Sequence, residues 1–151
     1  MLFKKDKTII VTEVSLQKDY TFMYENFIVS SQQNLFLLLE ENDKKIDALQ
    51  FDFKVYKYGY PNDEVGHPLQ KHGLGFYGLY EVSNSDWIKE LRDNNRQHPM
   101  HNDAWYDNYK HYIAKFKDVT LEVICTTMKE VQLTKEQLFA FLEEEINSLK
   151  Q

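Results

Sequence analysis

The sequence predicts an α+β fold: a largely antiparallel sheet of about seven strands, as one sheet or a small sandwich, packed by two helices. Three observations carry this. Strand-like segments follow one another with only two helical segments among them, so the strand–helix alternation of a parallel sheet is missing. Two-residue alternation of apolar and polar side chains recurs on both sides of the chain's midpoint. Gly59, Pro61, Gly66, Pro68, Gly73, Gly75 and Gly78 cluster in one stretch, which reads as a central loop inside a single domain spanning residues 1–151.

In chain order, Thr8, Ile10, Thr12, Val14 and Leu16 alternate with Lys7, Ile9, Val11, Glu13 and Ser15, the period of a strand. Tyr20 to Val29 is rich in aromatic and β-branched residues and reads as a second strand with apolar side chains on both faces. Leu35 to Glu40 is a short continuous apolar run. The hairpin-like stretch Glu41-Asn42-Asp43-Lys44-Lys45 after it makes it a strand. Leu49 to Tyr58 is the clearest strand, with Phe51, Phe53 and Val55 alternating with Asp52 and Lys54. Tyr56, Tyr58 and Tyr60 then take the opposite parity, which predicts a bulge or a strand end covered on both faces.

Beyond the loop, Phe76 to Val82 reads as a strand. Ser85 caps a helix with Asp86 in its first turn and Trp87, Ile88 and Leu91 on one face, ending near Asn94-Asn95 ahead of His98-Pro99. Tyr109 to Phe116 and Val119 to Val131 form a hairpin across Lys117-Asp118. In its arms Val119, Leu121, Val123 and Cys125 share one face, as do Tyr112, Ala114 and Phe116, leaving Glu122 and His111 on the other. The last helix, residues 135–149, opens with capping-box spacing at Thr134 and Gln137 and staple spacing at Leu133 and Leu138. Its apolar stripe of Leu138, Phe141, Leu142, Ile146 and Leu149 predicts a face turned to the sheet.

Composition narrows the function. A net charge of −6 argues against nucleic acid, whose phosphates require Lys and Arg. The single Cys125 excludes an internal disulfide framework and a multi-cysteine zinc site, and its apolar parity makes it a buried thiol. The longest apolar run, Leu35 to Leu39, is too short to cross a bilayer, and Met1-Leu2-Phe3-Lys4-Lys5 begins no signal peptide. A cytoplasmic location without membrane or nucleic-acid partners is therefore expected.

Chemistry-bearing residues concentrate in the second half. All five histidines lie between His67 and His111, and eight of the ten tyrosines between Tyr56 and Tyr112. Such groups suit the binding of a polar small molecule, and imidazole titrates near neutrality. His98 and His101, with Asp103, Asp107 and His111 downstream, have metal-ligand residue types. Pro99 breaks the helix that would align the first two, and no H-E-x-x-H or C-x-x-C occurs, so no metal or cofactor is expected. Gly73-Leu74-Gly75 lacks the Lys-Ser/Thr and the following helix of a phosphate loop. No Gly-x-Ser-x-Gly is present, and Glu143-Glu144-Glu145 reads as the wet face of a helix.

From about Tyr60 to Val131 the chain resembles small stand-alone bacterial proteins of no assigned activity. The resemblance rests on Tyr60 to Glu64, Gly66-His67-Pro68-Leu69, Gly75 to Tyr80, Asn84-Ser85-x-Trp87-Ile88, His98-Pro99, Lys110 to Ile113 and Phe116-x-Asp118-x-Thr120-x-Glu122. It implies a shared fold and a shared pocket rather than a reaction. Similar sequences carry His where this chain has Lys117, which argues against a required imidazole at that turn.

The leading expectation is a non-catalytic module that binds a small polar ligand or a protein partner through its His/Tyr-rich half, with His67, Tyr80, His98, His111 and Glu122 as the candidate pocket. One alternative is a small hydrolase or isomerase with a histidine base; another is an immunity-type inhibitor of a basic toxin. Strand parity carries a further expectation. It predicts that His67 and His111 line one polar cleft with at least one of Tyr80 and Glu122, although a plain solvent-exposed sheet face is the simpler account.

Overall fold

The computed structural model describes residues 7–24 and 26–150; the first six residues, on which the signal-peptide reading rests, lie outside them. Seven strands form one sheet rather than a sandwich: β1 (Ile10–Glu13), β2 (Phe27–Ser30), β3 (Leu35–Asn42), β4 (Lys45–Gly59), β5 (Gly78–Ser83), β6 (Lys110–Lys115) and β7 (Thr120–Thr134). Their spatial order is β1-β5-β6-β7-β4-β3-β2, and every neighbouring pair is antiparallel. Helix α1 (Asp86–Asn95) follows β5, and α2 (Lys135–Asn147) continues directly from β7. Among the described residues no helix is long and apolar enough to cross a membrane.

The two longest strands, β4 and β7, pair along their whole length and form the spine of the sheet. Their register shifts at Asp52/Phe53 and again at Phe53/Val55, where the phase change of the tyrosines places it. The main core lies on one face, built from Leu35, Leu37, Leu49, Phe51, Leu79, Tyr112, Phe116, Leu121, Val123 and the buried Cys125. It is covered by the chain that follows β1, through Val14, Leu16, Tyr20 and Phe22. This corrects the expectation of long first and second strands. β5 begins only at Gly78, so after Glu13 pairs with Tyr80 the ladder has one bond left to make, from the Val14 N–H to the Leu79 carbonyl at 2.8 Å, before its partner strand ends. From there to Phe22 the chain crosses the core face without regular structure, and of the expected second strand, Tyr20 to Val29, only Phe27 to Val29 pairs with β3.

The opposite face has two smaller clusters. Val11, Tyr80, Val82 and Ile113 lie beneath Leu69 and Leu74 of the central loop, and Phe36, Leu38, Ile46 and Ala48 lie beneath Leu138 of α2. Topology explains the loop's path. The chain leaves β4 and must pass β7 and β6 to reach β5, so residues 60–77 cross the second face of both strands.

Helix α2 departs from its expected packing. Both capping-box hydrogen bonds form, Leu138 is buried, and Phe141 meets Phe36 edge-on at 5.5 Å. The rest of the stripe turns outward: Ile146 is 64% exposed and Leu149 75%. The small cluster on β3 and β4 is closed by the first two turns of the helix, through Leu138 and Phe141, and does not extend to Ile146 or Leu149. Leu142→Ala is accordingly expected to cost about 1 kcal/mol or less in a denaturant melt, against about 2–4 kcal/mol for Leu138→Ala. Equal losses at the two positions would show that the later turns pack on the sheet after all.

Candidate functional site

The second face between the two small clusters carries a polar group of side chains. Register places them. Glu122 of β7 lies opposite Ile113 of β6, and His111 lies opposite Ile124, so Glu122 and His111 are diagonal neighbours on one face. His111 Nε2 stands 3.0 Å from Glu122 Oε1. The loop crossing above them brings His67, whose Nε2 stands 3.1 Å from Glu122 Oε2. One carboxylate thus holds two imidazoles, one on each oxygen, and both rings are buried.

Hydrogen-bond bookkeeping sets the proton positions. His67 opens the short 3-10 turn Pro68–His72, and its Nδ1 accepts the Leu69 N–H at 3.0 Å, so its proton sits on Nε2 and is donated to Glu122. His111 Nδ1 lies 2.8 Å from the hydroxyl of Ser85, the N-cap of α1. His111 Nε2 faces the Glu122 carboxylate, which only accepts, so in the neutral ring Nδ1 is the acceptor and the Ser85 hydroxyl, which itself accepts the Ile88 N–H at 3.2 Å, donates to it. His111 then donates from Nε2 to Glu122. Burial pushes the Glu122 carboxyl upward, but the hydrogen bonds from His111 and His67 outweigh it and hold the group at about 2. At neutral pH it is an anion.

A cleft of about 540 Å³ opens above this floor, in the size range of small-molecule sites. Loop residues from Tyr60 to Leu69 form one wall, and Ile9, Val82 and Trp87 form the other. Trp87 meets the His111 ring edge-on at 5.5 Å, and the Lys57 ammonium stands 4.0 Å from the centre of the Trp87 ring. On the same face, Lys115 is fully buried, and its Nζ has no hydrogen-bond partner among the described residues. Burial lowers its amine from the usual lysine range, against the nearby Asp63.

Of the five candidate pocket residues, His67, His111 and Glu122 come together, and Tyr80 and His98 do not join them. Tyr80 shares the face but lies two strands from Glu122, with Ile113 between them. Its ring packs among Val11, Leu74 and Val82, and its hydroxyl donates to the Tyr77 carbonyl at 3.2 Å. His98 is exposed in the turn after α1, where Nδ1 accepts the Met100 N–H. His101 makes contacts of its own with Asn95 and Asp103. Among the described residues no cluster of three or more His, Cys, Asp or Glu is arranged to hold a metal ion.

Ser85, Trp87 and Lys57 belong to the site and were missed. Ser85 reads as a cap and nothing more, because its sequence signal is fully explained by the helix that it starts. Lys57 faces the cleft only because the bulges in β4 reset its parity, pairing it with Glu122. Compared with protein families, curated proteins and solved structures, the chain finds no match in any of the three.

Proposed function

We propose that the chain binds a small carboxylate-bearing molecule in the cleft above His67, Glu122 and His111. The observation that carries this reading is the pairing of a rigid polar floor with an apolar wall and a cation. Lys57 holds an ammonium over the Trp87 indole, suited to an anionic group, while Ile9, Leu69 and Val82 suit a short hydrocarbon body. The floor is already organised, since each imidazole is fixed at both ring nitrogens by a protein partner. A ligand therefore meets groups that need no reordering.

Titration with butyrate tests the reading, followed by the imidazole carbon-bound proton signals of all five histidines. Saturable shifts are expected at His67 and His111, with the other three rings silent. Lys57→Met is expected to weaken the interaction about tenfold. Absence of any saturable change at millimolar butyrate, or shifts confined to His72, His98 and His101, would overturn it.

A further inference from the structure

The chain reverses sharply between β5 and α1. Ser83 ends the strand, Asn84 takes a left-handed conformation with φ of 59°, and Ser85 begins the helical turn. This strand–turn–helix presents the Ser85 hydroxyl to the floor of the cleft, which it lines. Behind it stands a continuous relay: Oγ to His111 Nδ1 at 2.8 Å, then His111 Nε2 to Glu122 Oε1 at 3.0 Å. Nucleophile, base and orienting carboxylate are each within hydrogen-bond reach of the next.

We propose that Ser85, His111 and Glu122 form a nucleophilic triad that hydrolyses esters of short-chain carboxylic acids seated in the cleft. The proposal rests on the reading of the cleft as a carboxylate site and names the substrate class that it turns over. His111 carries its resting proton on Nε2, toward Glu122, and keeps the Nδ1 lone pair for the serine. Roles of the two ring nitrogens are thus set by their partners, the carboxylate on Nε2 and the Ser85 hydroxyl on Nδ1.

Each bond change is accounted for. Ser85 Oγ attacks the ester carbonyl carbon while its proton passes to His111 Nδ1, and the imidazolium so formed is stabilised by the Glu122 anion. The oxyanion meets the N–H groups of Asp86 and Trp87, the first two of α1, which have no carbonyl partner within the helix. Collapse breaks the ester C–O bond, and the leaving alkoxide takes the proton from Nδ1. Water then attacks the acyl-serine, giving a proton to Nδ1, and the acid departs as Ser85 recovers that proton. Ester and water become acid and alcohol, with no other reactant.

The test uses p-nitrophenyl butyrate for turnover and a fluorophosphonate for covalent labelling, with the modified residue located by peptide mass spectrometry. One label per chain is expected, on Ser85. Ser85→Asn keeps a side chain able to cap α1 but is expected to lose turnover about a thousandfold. Ser83→Ala, at the exposed end of β5, is expected to leave it unchanged. Glu122 acts through His111 and is a positioning residue. Glu122→Gln is expected to lower kcat and to move the acid limb of the kcat/KM profile to lower pH, because an imidazolium beside a neutral amide gives up its proton more readily. Turnover retained in a folded Ser85→Asn variant, or no label on Ser85, would overturn the triad. If butyrate still shifts His67 and His111 in that case, the binding reading stands alone; if it does not, both fall.

Discussion

Glu122→Ala is expected to remove about 3–5 kcal/mol of folding free energy, measured by urea melts at neutral pH. Two hydrogen bonds to a largely covered anion, its side chain 13% exposed, are lost at once, each of the stronger, charge-assisted kind. The N–H groups of His67 and His111 are then stranded beneath the loop. His67 cannot escape by changing tautomer, since its Nδ1 already accepts the Leu69 N–H. Glu122→Gln is a milder change. Its amide oxygen accepts from one imidazole only, and His111 can move its proton to Nδ1 to receive the amide N–H, at the cost of disturbing Ser85. A loss of about 2–3 kcal/mol is expected.

The same carboxyl makes stability depend on pH. Its folded value, about 2, lies below the ordinary 4.5, so the fold favours the anion. That contribution, on the order of 3 kcal/mol, is fully present above about pH 5 and is lost as pH falls through about 2. The stability gap between wild type and Glu122→Gln should therefore shrink across this window. A gap that stays constant from pH 6 to pH 2 would mean that Glu122 is not held ionised by its neighbours.

Much of this site is legible in the residues, and the remainder depends on strand order. The parity of Val119, Leu121 and Val123 against Tyr112, Ala114 and Phe116 puts His111 and Glu122 on one face, and the Ala114–Leu121 register makes them neighbours. Nothing local places His67 above them, because a loop has no period. It arrives there because β5 lies beyond β7 and β6, and antiparallel order is a long-range property. Tyr80 shows the converse. Its face is right, yet each strand adds about 4.8 Å of separation, and two strands put it out of reach of the carboxylate. In α2 the apolar stripe is real, but periodicity reports which residues share a face and not whether a sheet lies opposite. The segment after β1 fails for a related reason, since alternation cannot say where the partner strand begins.

Phe22→Ala is expected to cost about 3–5 kcal/mol, although Phe22 sits in no strand or helix. The chain from Val14 to Phe22 is the cover of the main core, and beyond the single bond from the Val14 N–H to the Leu79 carbonyl it makes no ladder to hold it. Polar pins fix its middle: Lys18 and the Tyr20 hydroxyl both donate to the buried Asp47, and the Gln17 N–H donates to Glu130. Its far end depends on one ring. Phe22 stacks on Phe116 at 5.3 Å and 16°, and beside it the Lys117 N–H donates to the Met23 carbonyl at 3.1 Å. Removing the ring opens a cavity over Phe116, Leu121 and their neighbours that this cover can close only by breaking the Met23 bond. Phe139→Ala offers the control, since that ring is 61% exposed on α2 and its loss is expected to cost about 1 kcal/mol or less. Urea melts of the two variants decide the matter, with amide exchange in β6 and β7 as a second measurement. If Phe22→Ala melts with Phe139→Ala, and the β6 and β7 amides stay protected, the core face is closed by something other than this strap.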